Sequence, residues 1–256
     1  MKQLIAFTKK EFLEQLRTGK LIILAVIFCL FGIMSPAIAK LTPWLMESMS
    51  EQLAESGIIV GKIEVNALTS WTQFFKNMPI VLIIFIVTFS GVLTTEYQKG
   101  TLINVITKGL KRWKILITKT FMMAVVWTFG CLISYGITYA YNTYFWDNSI
   151  ARNVCFAVFC VYLLGLWFIT IISLASTVFR SASAVTLSVG AAFLLAYLLS
   201  RIPVIKEYSP SYLLESTDLL MGISNGSDYF MVVVITLVLI AMNIIVSVIA
   251  FNKKNI

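Results

Sequence analysis

Histidine is absent from the 256-residue sequence, and cysteine occurs only four times. The cysteines, Cys29, Cys131, Cys155 and Cys160, lie inside apolar runs and form no CxxC pair. A zinc site needs clustered Cys or His ligands, so none is predicted, and we expect the thiols to behave as small buried hydrophobes. The lack of histidine also removes the commonest general base, which argues against an enzyme.

Charged residues are also scarce, at 12% of the chain, whereas hydrophobic residues make up 59%. With a mean hydropathy of +0.89, this composition lies far outside the range of soluble domains. Strand-period alternation of polar and apolar residues is missing, which argues against a membrane barrel. The predicted fold class is therefore an all-α integral membrane protein.

Apolar runs that are long enough to cross a bilayer as helices occur six times. We expect them to form a single transmembrane domain over residues 1–256. The predicted spans are residues 21–39, 79–95, 115–141, 154–178, 182–200 and 229–251.

Six crossings place both termini on one side of the membrane, and the distribution of charge indicates which side it is. That side carries fourteen of the 20 lysines and arginines, while nine of the 12 acidic residues fall on the other. Because positively charged loops stay in the cytoplasm, we expect a multi-pass protein of the cell (plasma) membrane with both termini cytoplasmic.

Residues 1–20 combine basic residues with a stripe of apolar ones. Ile5, Phe12, Leu13 and Leu16 share one helical face, which predicts an amphipathic helix in the headgroup layer. A cleaved signal peptide is the alternative, since residues 37–39 read Ala-Ile-Ala, but the acidic residues at positions 11 and 14 argue against it. The basic residues expected at the membrane surface are Lys9, Lys10, Arg17, Lys20, Lys111 and Arg112.

Two connections on the outer side have helical character. In the connection of residues 40–78, four apolar residues lie against Glu47, Glu51 and Glu55, which predicts an amphipathic helix on the outer leaflet. Before the last span, Ser209-Pro210 is typical of a helix start, and a helical hairpin ends near Gly222 or Asn225-Gly226. This hairpin is either a half-buried, partly re-entrant helix or a plain surface loop. The apolar residues of the first connection are Trp44, Leu45, Met49 and Leu53.

Motifs for nucleotide chemistry and proteolysis are missing. Thr18-Gly19-Lys20 lacks the upstream glycine of a phosphate-binding loop, HExxH does not occur, and no GxSxG string follows a predicted strand, as a nucleophile elbow requires. Ionisable residues are nearly absent from the spans, since Arg152, Arg201 and Lys119 lie near span ends, where their side chains can reach water. We therefore expect that this chain is not an enzyme and binds no cofactor itself. Any energy source is expected to be a partner.

A basic island separates the second and third spans. Gly100-Thr101 precedes Leu102, Val105 and Ile106, and Gly109 follows, so the pattern predicts a short helix with the threonine near its N-cap. The three apolar residues share one face at i, i+3, i+4 spacing. Because so short a helix is not stable alone in water, this face must contact the membrane or a partner protein.

Glu96 is a carboxylate at the end of the second span, and its simplest role is an ion pair with a lysine such as Lys99. The order that starts there, however, resembles the coupling segment of the permeases of ATP-binding-cassette (ABC) exporters of the second permease class, or ABC-2 type. The likeness extends to the amphipathic start, the six spans and the Ser-Pro helix before the last span. The order reads Glu96, Tyr97-Gln98-Lys99, Gly100-Thr101, the apolar stretch 102–107, Gly109 and Lys111-Arg112-Trp113, within a coupling segment of residues 96–113.

The resemblance implies a half-transporter. Two permease chains, identical or related, form the pathway, and two cytoplasmic ATPases that use ATP and Mg bind beneath them. It also implies that the apolar face of the short helix inserts into the ATPase, while Glu96 fixes the helix's approach through an ion pair or N-terminal hydrogen bonds. ATP-driven closure then moves the helix and the adjoining spans as a rigid-body switch. The implied ATPase-coupling residues are Glu96, Gly100, Thr101, Leu102, Val105, Ile106 and Gly109.

The span surfaces are apolar with few hydroxyl groups, which favours a lipophilic or amphipathic cargo such as a peptide, an antimicrobial or a drug. A partner-independent channel or facilitator, a membrane enzyme and a structural scaffold are the alternatives, but none of them explains the coupling-segment pattern. We expect the lipid bilayer and the ATPases as partners, and no nucleic acid. The hydroxyl-bearing residues are Thr88, Ser90, Thr186 and Ser188.

Overall fold

The computed structural model describes residues 2–48, 65–107 and 109–254, and within these residues the chain is helical and contains no strand. Six helical stretches are long and apolar enough to cross a membrane, as the sequence predicts. They are Lys20–Ser48, Ala67–Gln98, Arg112–Phe145, Val154–Val178, Ala182–Leu199 and Gly226–Lys253, here called the first to sixth spans. The fold class is therefore an all-α integral membrane protein.

The second span begins twelve residues before the predicted start, at Ala67, because Asn66 caps it with a side chain that accepts a hydrogen bond from the Thr69 amide at 3.1 Å. Pro79, the predicted start, lies inside this helix. The α-helix reaches Phe89, and Thr94–Gln98 forms a separate turn of helix before the span ends. The cap, rather than the hydropathy, sets this boundary.

The first span also continues beyond its predicted end. It runs through Pro36 and Pro43 to Ser48, so Trp44 and Leu45 extend a membrane helix and do not begin a separate surface helix. The rest of that predicted amphipathic helix, including Met49 and Leu53, lies outside the described residues. The third span is longer than predicted at both ends, and the sixth continues to Lys253.

The centre of the bundle is built around Trp127 of the third span. Its ring lies 5.7 Å from that of Phe28 and 5.2 Å from that of Phe85, in edge-to-face arrangements. Its indole nitrogen donates to the Tyr162 carbonyl at 3.1 Å. A Cβ placed on Gly165 would lie 2.1 Å from this indole ring, so the close approach of the third and fourth spans requires glycine there.

The segment before the last span is packed into the bundle, so of the two alternatives the plain surface loop is excluded. Ser209 is the N-cap and Pro210 the first residue of a 3-10 helix, Pro210–Ser216, followed by the α-helix Thr217–Met221 and then Gly222 at φ +70°. The Ser209 and Ser211 hydroxyls donate to the Ala196 carbonyl at 2.7 and 2.8 Å. The buried apolar side chains are Leu213, Leu219 and Leu220.

Three shorter 3-10 helices are Asn148–Ile150, Lys206–Tyr208 and Gly226–Tyr229. The first two lie in connections on the face opposite the termini, and the third forms the start of the sixth span. The last one leads directly into the α-helix Phe230–Lys253 of the sixth span.

Both ends of the chain lie on one face of the bundle, here called the termini face. The N-terminal helix Lys2–Arg17 precedes the first span and folds back against the third. At the C-terminal end, Arg112 donates to the carbonyl oxygens of Phe251 and Lys254, and the Lys254 ammonium donates to the Thr177 carbonyl at 2.7 Å. These contacts bring together the start of the third span, the end of the fourth and the end of the sixth.

Candidate functional site

The short helix predicted in the coupling segment is present as Thr101–Thr107. Gly100 precedes it at φ +66° and Gly109 follows it at φ +83°, in the left-handed region that favours glycine. No atom lies within 4 Å of a Cβ built on either residue, so the glycines are needed for their backbone angles and not for space. The Gly109 amide donates to the Ile106 carbonyl at 2.9 Å and closes the last turn.

The apolar face of the short helix is packed against the chain itself. Leu102 is only 1% exposed, and Val105 and Ile106 are half-buried against the same cluster. The other members of this cluster, here called the seat of the short helix, are Phe7, Leu93, Leu110, Ile115, Leu116 and Phe251.

This packing differs from the prediction that Leu102 inserts into a partner, because its side chain already has a binding surface within the chain. That surface includes Phe7 from the N-terminal helix and Phe251 from the sixth span. Both residues are more than 90 positions away in sequence, so the local pattern could not reveal them. The residues that the short helix leaves exposed are Thr101, Ile103, Asn104 and Thr107.

Glu96 is buried beside the seat and is 7% exposed. The Lys119 ammonium donates to Glu96 Oε1 at 3.0 Å and to Glu11 Oε2 at 2.8 Å. Glu11 and Lys119 are each 3% exposed, so Lys119 does not extend to water as the sequence predicted. The partners of Glu96 are Lys119 and Lys10, and not Lys99.

Lys10 completes this group of charges at its more exposed edge. Its ammonium lies 2.7 Å from Glu14 Oε2, 3.1 Å from Glu11 Oε1 and 3.4 Å from Glu96 Oε1. Burial alone would lower the pKa of Lys10, but the hydrogen bond to Glu14 and the charges of Glu11 and Glu96 raise it above its usual value. Lys10, Glu11, Glu14, Glu96 and Lys119 are here called the Lys119 cluster.

The carboxylate oxygens of Glu11, Glu14 and Glu96 lie within 4.8 Å of one another, which is a spacing that could suit a metal ion. The ammonium groups of Lys10 and Lys119 lie among these oxygens and pair with all three carboxylates. The lysines therefore provide the positive charge that a metal ion would bring. Chemically, this arrangement serves to join helices.

The N-terminal helix uses two different faces. The predicted apolar stripe, which includes Ile5 and Phe12, is exposed, as contact with a membrane requires. The face turned toward the bundle carries Phe7, Glu11 and Gln15, none of which belongs to the predicted stripe. These residues are four apart and therefore share one helical face, and the signal in the sequence is that Glu11 and Gln15 lie in line with the apolar Phe7.

The six basic residues predicted at the membrane surface have different environments. Lys9, Arg17 and Lys111 are exposed, whereas Lys10 belongs to the Lys119 cluster. Lys20 lies 5.9 Å from the centre of the Phe89 ring, and Arg112 binds carbonyls at the end of the sixth span.

The four hydroxyls noted on the span surfaces all donate to carbonyls of their own helices. Thr88 bonds to Ile84, and Ser90 to Val87, at 2.8 and 2.9 Å. Thr186 and Ser188 do the same in the fifth span, at 3.1 and 2.8 Å. Their donors are therefore used within the helices, and the surfaces are more apolar than the sequence suggests.

The fold is thus a six-span helical bundle with a short helix seated on the face that carries both termini. Comparison of the sequence with known protein families identifies the family of this chain. Residues 5–256 match the family described as "ABC-2 family transporter protein". The chain therefore belongs to the ABC-2 transporter family, the membrane-spanning permease subunits of ABC transporters, which have no ATPase domain of their own and work with an ABC ATPase.

One relative is the "Uncharacterized transmembrane protein YxlG" of Bacillus subtilis (strain 168). The two proteins are 24% identical over 241 residues, which cover 90% of this chain and 89% of the relative. The similarity therefore extends over nearly the whole length of both proteins.

Proposed function

We propose that this chain is a permease subunit of an ABC exporter in the plasma membrane. Two permease chains, identical or related, form the pathway, and two cytoplasmic ATPases supply the energy from ATP and Mg. The observation that carries the proposal is the short helix Thr101–Thr107, which is held on the termini face with one side, including Ile103, exposed. Family membership supports the need for an ATPase partner.

The termini face is cytoplasmic in this proposal. It holds the basic N-terminal helix, the basic coupling segment and the C-terminal lysines, and the positive-inside rule assigns such a face to the cytoplasm. An ATPase in the cytoplasm can then reach the short helix directly.

The docking surface for the ATPase consists of the exposed side of the short helix. Ile103 is 49% exposed and lies beside Asn104, with Thr101 and Thr107 at the two ends. Leu102 is buried in the seat and so holds the short helix in place on the termini face. Val105 and Ile106 are half-buried, so they contact the seat and also form part of the docking surface.

The Lys119 cluster joins the helices next to the docking surface to one another through ion pairs. Lys119 belongs to the third span, Glu96 to the end of the second and Glu11 to the N-terminal helix. Buried charges that pair across three helices resist separation, since each would lose its partner in a dry environment. A movement of the short helix therefore moves these three helices together, as a rigid body.

The cargo that suits this chain is lipophilic or amphipathic. A groove of about 120 Å³ lies between the second and fifth spans and is lined almost entirely by apolar side chains. Its one hydroxyl, that of Thr186, donates to the Ala182 carbonyl. A hydrophilic cargo would find few free donors there.

The test is copurification of the ATPase with the full-length chain from its native membranes. We expect Ile103→Asp to abolish copurification without lowering the melting temperature, because the side chain is exposed. Ile150→Asp is the matched control, since Ile150 is 47% exposed but lies on the opposite face. Retention of the ATPase by Ile103→Asp at wild-type stoichiometry would contradict the proposed docking surface.

A further inference from the structure

A cavity of about 680 Å³ lies on the termini face beside the Lys119 cluster. This volume is within the range of roughly 300–1,000 Å³ that is typical of small-molecule sites. The N-terminal helix, the end of the second span, the short helix and Lys119 form its walls. Phe89, Val92 and Val105 make part of the wall apolar. Lys20 is the first residue of the first span and Lys99 follows the last residue of the second, so the cavity lies at the ends of these spans, where we expect the lipid headgroups.

Two hydrogen-bond acceptors in the residues that line this cavity are buried and unused. Gln15 Oε1 and Glu96 Oε2 have no hydrogen-bond partner among the described residues. Both residues are 7% exposed, so water does not reach these oxygens freely. A buried acceptor without a donor is costly, and the pair therefore indicates a ligand that brings N–H groups.

Two cations that line the same cavity have no carboxylate partner. Lys10 and Lys119 pair with all three glutamates of the cluster, whereas Lys20 and Lys99 form no ion pair within the part of the chain that the structure describes. The cavity thus offers acceptors near Glu96 and ammonium groups at Lys20 and Lys99. A ligand that suits it carries an ammonium group and an anionic group a short distance apart.

We propose that this cavity binds the headgroup of an aminophospholipid, which carries a primary ammonium and a phosphate. The ammonium donates to Glu96 Oε2 and Gln15 Oε1, and the phosphate pairs with Lys20 and Lys99. The position of the cavity at headgroup level favours a membrane lipid over a soluble zwitterion. This site adjoins the docking surface of the proposed function, since Thr101 and Asn104 also line the cavity, but lipid binding by the isolated chain does not require the ATPase.

The experiment measures lipid binding to the purified full-length chain by native mass spectrometry. The probes are phosphatidylethanolamine, phosphatidylcholine and phosphatidylglycerol with the same acyl chains. The first two carry the same charges, but only phosphatidylethanolamine has ammonium N–H donors. We expect it to bind about tenfold more tightly than phosphatidylcholine, as one to two charge-assisted hydrogen bonds provide.

Two variants with substitutions in the cavity wall test whether the lipid binds there. Gln15→Leu should reduce the preference for phosphatidylethanolamine over phosphatidylcholine severalfold, because one acceptor is removed. Lys20→Met should weaken both lipids, because the phosphate loses a partner. Lys9→Met is the control, since Lys9 is exposed on the same helix and does not line the cavity. The melting temperature of each variant without added lipid shows whether it is folded.

Equal binding of phosphatidylethanolamine and phosphatidylcholine by the wild-type chain would overturn the proposal. A preference that persists unchanged in folded Gln15→Leu and Lys20→Met would overturn it as well. If the isolated chain shows no preference but Gln15→Leu loses the ATPase in copurification, the donor is a basic side chain of the ATPase, and the lipid proposal is wrong. If soluble phosphoethanolamine bound as tightly as phosphatidylethanolamine, the acyl chains would add nothing to the affinity. The ligand would then be a soluble molecule, and the lipid proposal would be wrong.

Discussion

The Lys119 ammonium lies 3.0 Å from Glu96 Oε1, and both side chains are almost completely buried. A lysine at the start of a membrane span normally extends toward water. Here it turns inward because Glu11 and Glu96 approach it from two other helices. The termini face is therefore held together by charge as well as by apolar contacts.

Removal of Lys119 should destabilise the protein strongly. Lys119→Met leaves Glu11 and Glu96 buried with Lys10 as their remaining cation, so we expect a loss of about 3–5 kcal/mol in the free energy of unfolding. Thermal unfolding in detergent measures it. Lys114→Met on the same span is the control, because Lys114 forms no ion pair with the described residues.

The same bridge predicts a rescue. The triple variant Glu11→Gln, Glu96→Gln and Lys119→Met removes the charges together, so it should regain most of the stability that Lys119→Met loses. If Lys119→Met alone were as stable as Lys114→Met, the ion pairs of Lys119 with Glu11 and Glu96 would not contribute to stability, and the prediction would be wrong.

Acid should weaken the Lys10–Glu14 ion pair on the N-terminal helix. Burial alone would raise the pKa of Glu14, but the hydrogen bond from Lys10 and the charges of Lys10 and Lys119 lower it below its usual value of 4.5. Because the folded-state pKa is depressed, Glu14 adds stability above the unfolded-state pKa and loses it as the pH falls through the folded-state pKa. Glu14→Gln should therefore be less stable than wild type at neutral pH.

The size of this difference is at most about 1 kcal/mol, because half of the Glu14 side chain is exposed to solvent. Melting temperatures of both proteins between neutral and strongly acidic pH measure it. The two curves should converge below the usual carboxyl pKa. A gap that stays constant over this range would show that Glu14 contributes nothing through its charge.

Gly165 should not tolerate a methyl group. The added Cβ of Gly165→Ala would lie 2.1 Å from the Trp127 indole, so the ring or the fourth span must shift, at a cost of about 1–3 kcal/mol. Gly190→Ala is the matched control within a span, since no atom lies within 4 Å of its Cβ. It should be neutral or slightly stabilising. Equal melting temperatures for the two variants would be evidence against the close contact.

Leu102 and Ile103 are neighbours with opposite environments, and their truncation should separate stability from docking. Leu102→Ala should lower the free energy of unfolding by about 2–5 kcal/mol, because Leu102 is 1% exposed. Ile103→Ala should change it by less than about 0.5 kcal/mol, since its side chain is half-exposed. Thermal unfolding of the chain without its ATPase is the measurement, and a reversed order would show that the short helix is seated on its other face.

The sequence was sufficient for features that depend on local pattern. Six apolar runs predicted six spans, Gly100 and Gly109 marked the limits of the short helix, and Ser209-Pro210 began a helix as expected. Each of these is determined by residues close together in the chain.

Contacts between distant residues could not be predicted in the same way. Lys119 looked like an end-of-span lysine, because the carboxylate that it binds at position 11 belongs to another helix. Leu102 looked available to a partner, because Phe7 and Phe251 lie near opposite ends of the sequence. Similarly, the sequence does not distinguish Gly165 from Gly190. At Gly165 the Trp127 ring leaves no room for a Cβ atom, whereas a Cβ atom at Gly190 would contact nothing.

The position of Phe251 in the seat also sets an order of events during synthesis. The short helix leaves the ribosome long before the sixth span, yet its seat contains a residue at the far end of that span. The seat therefore closes only after the sixth span has been made and inserted. An ATPase that recognises the seated helix would engage chains whose sixth span is in place and would not engage chains that still lack it.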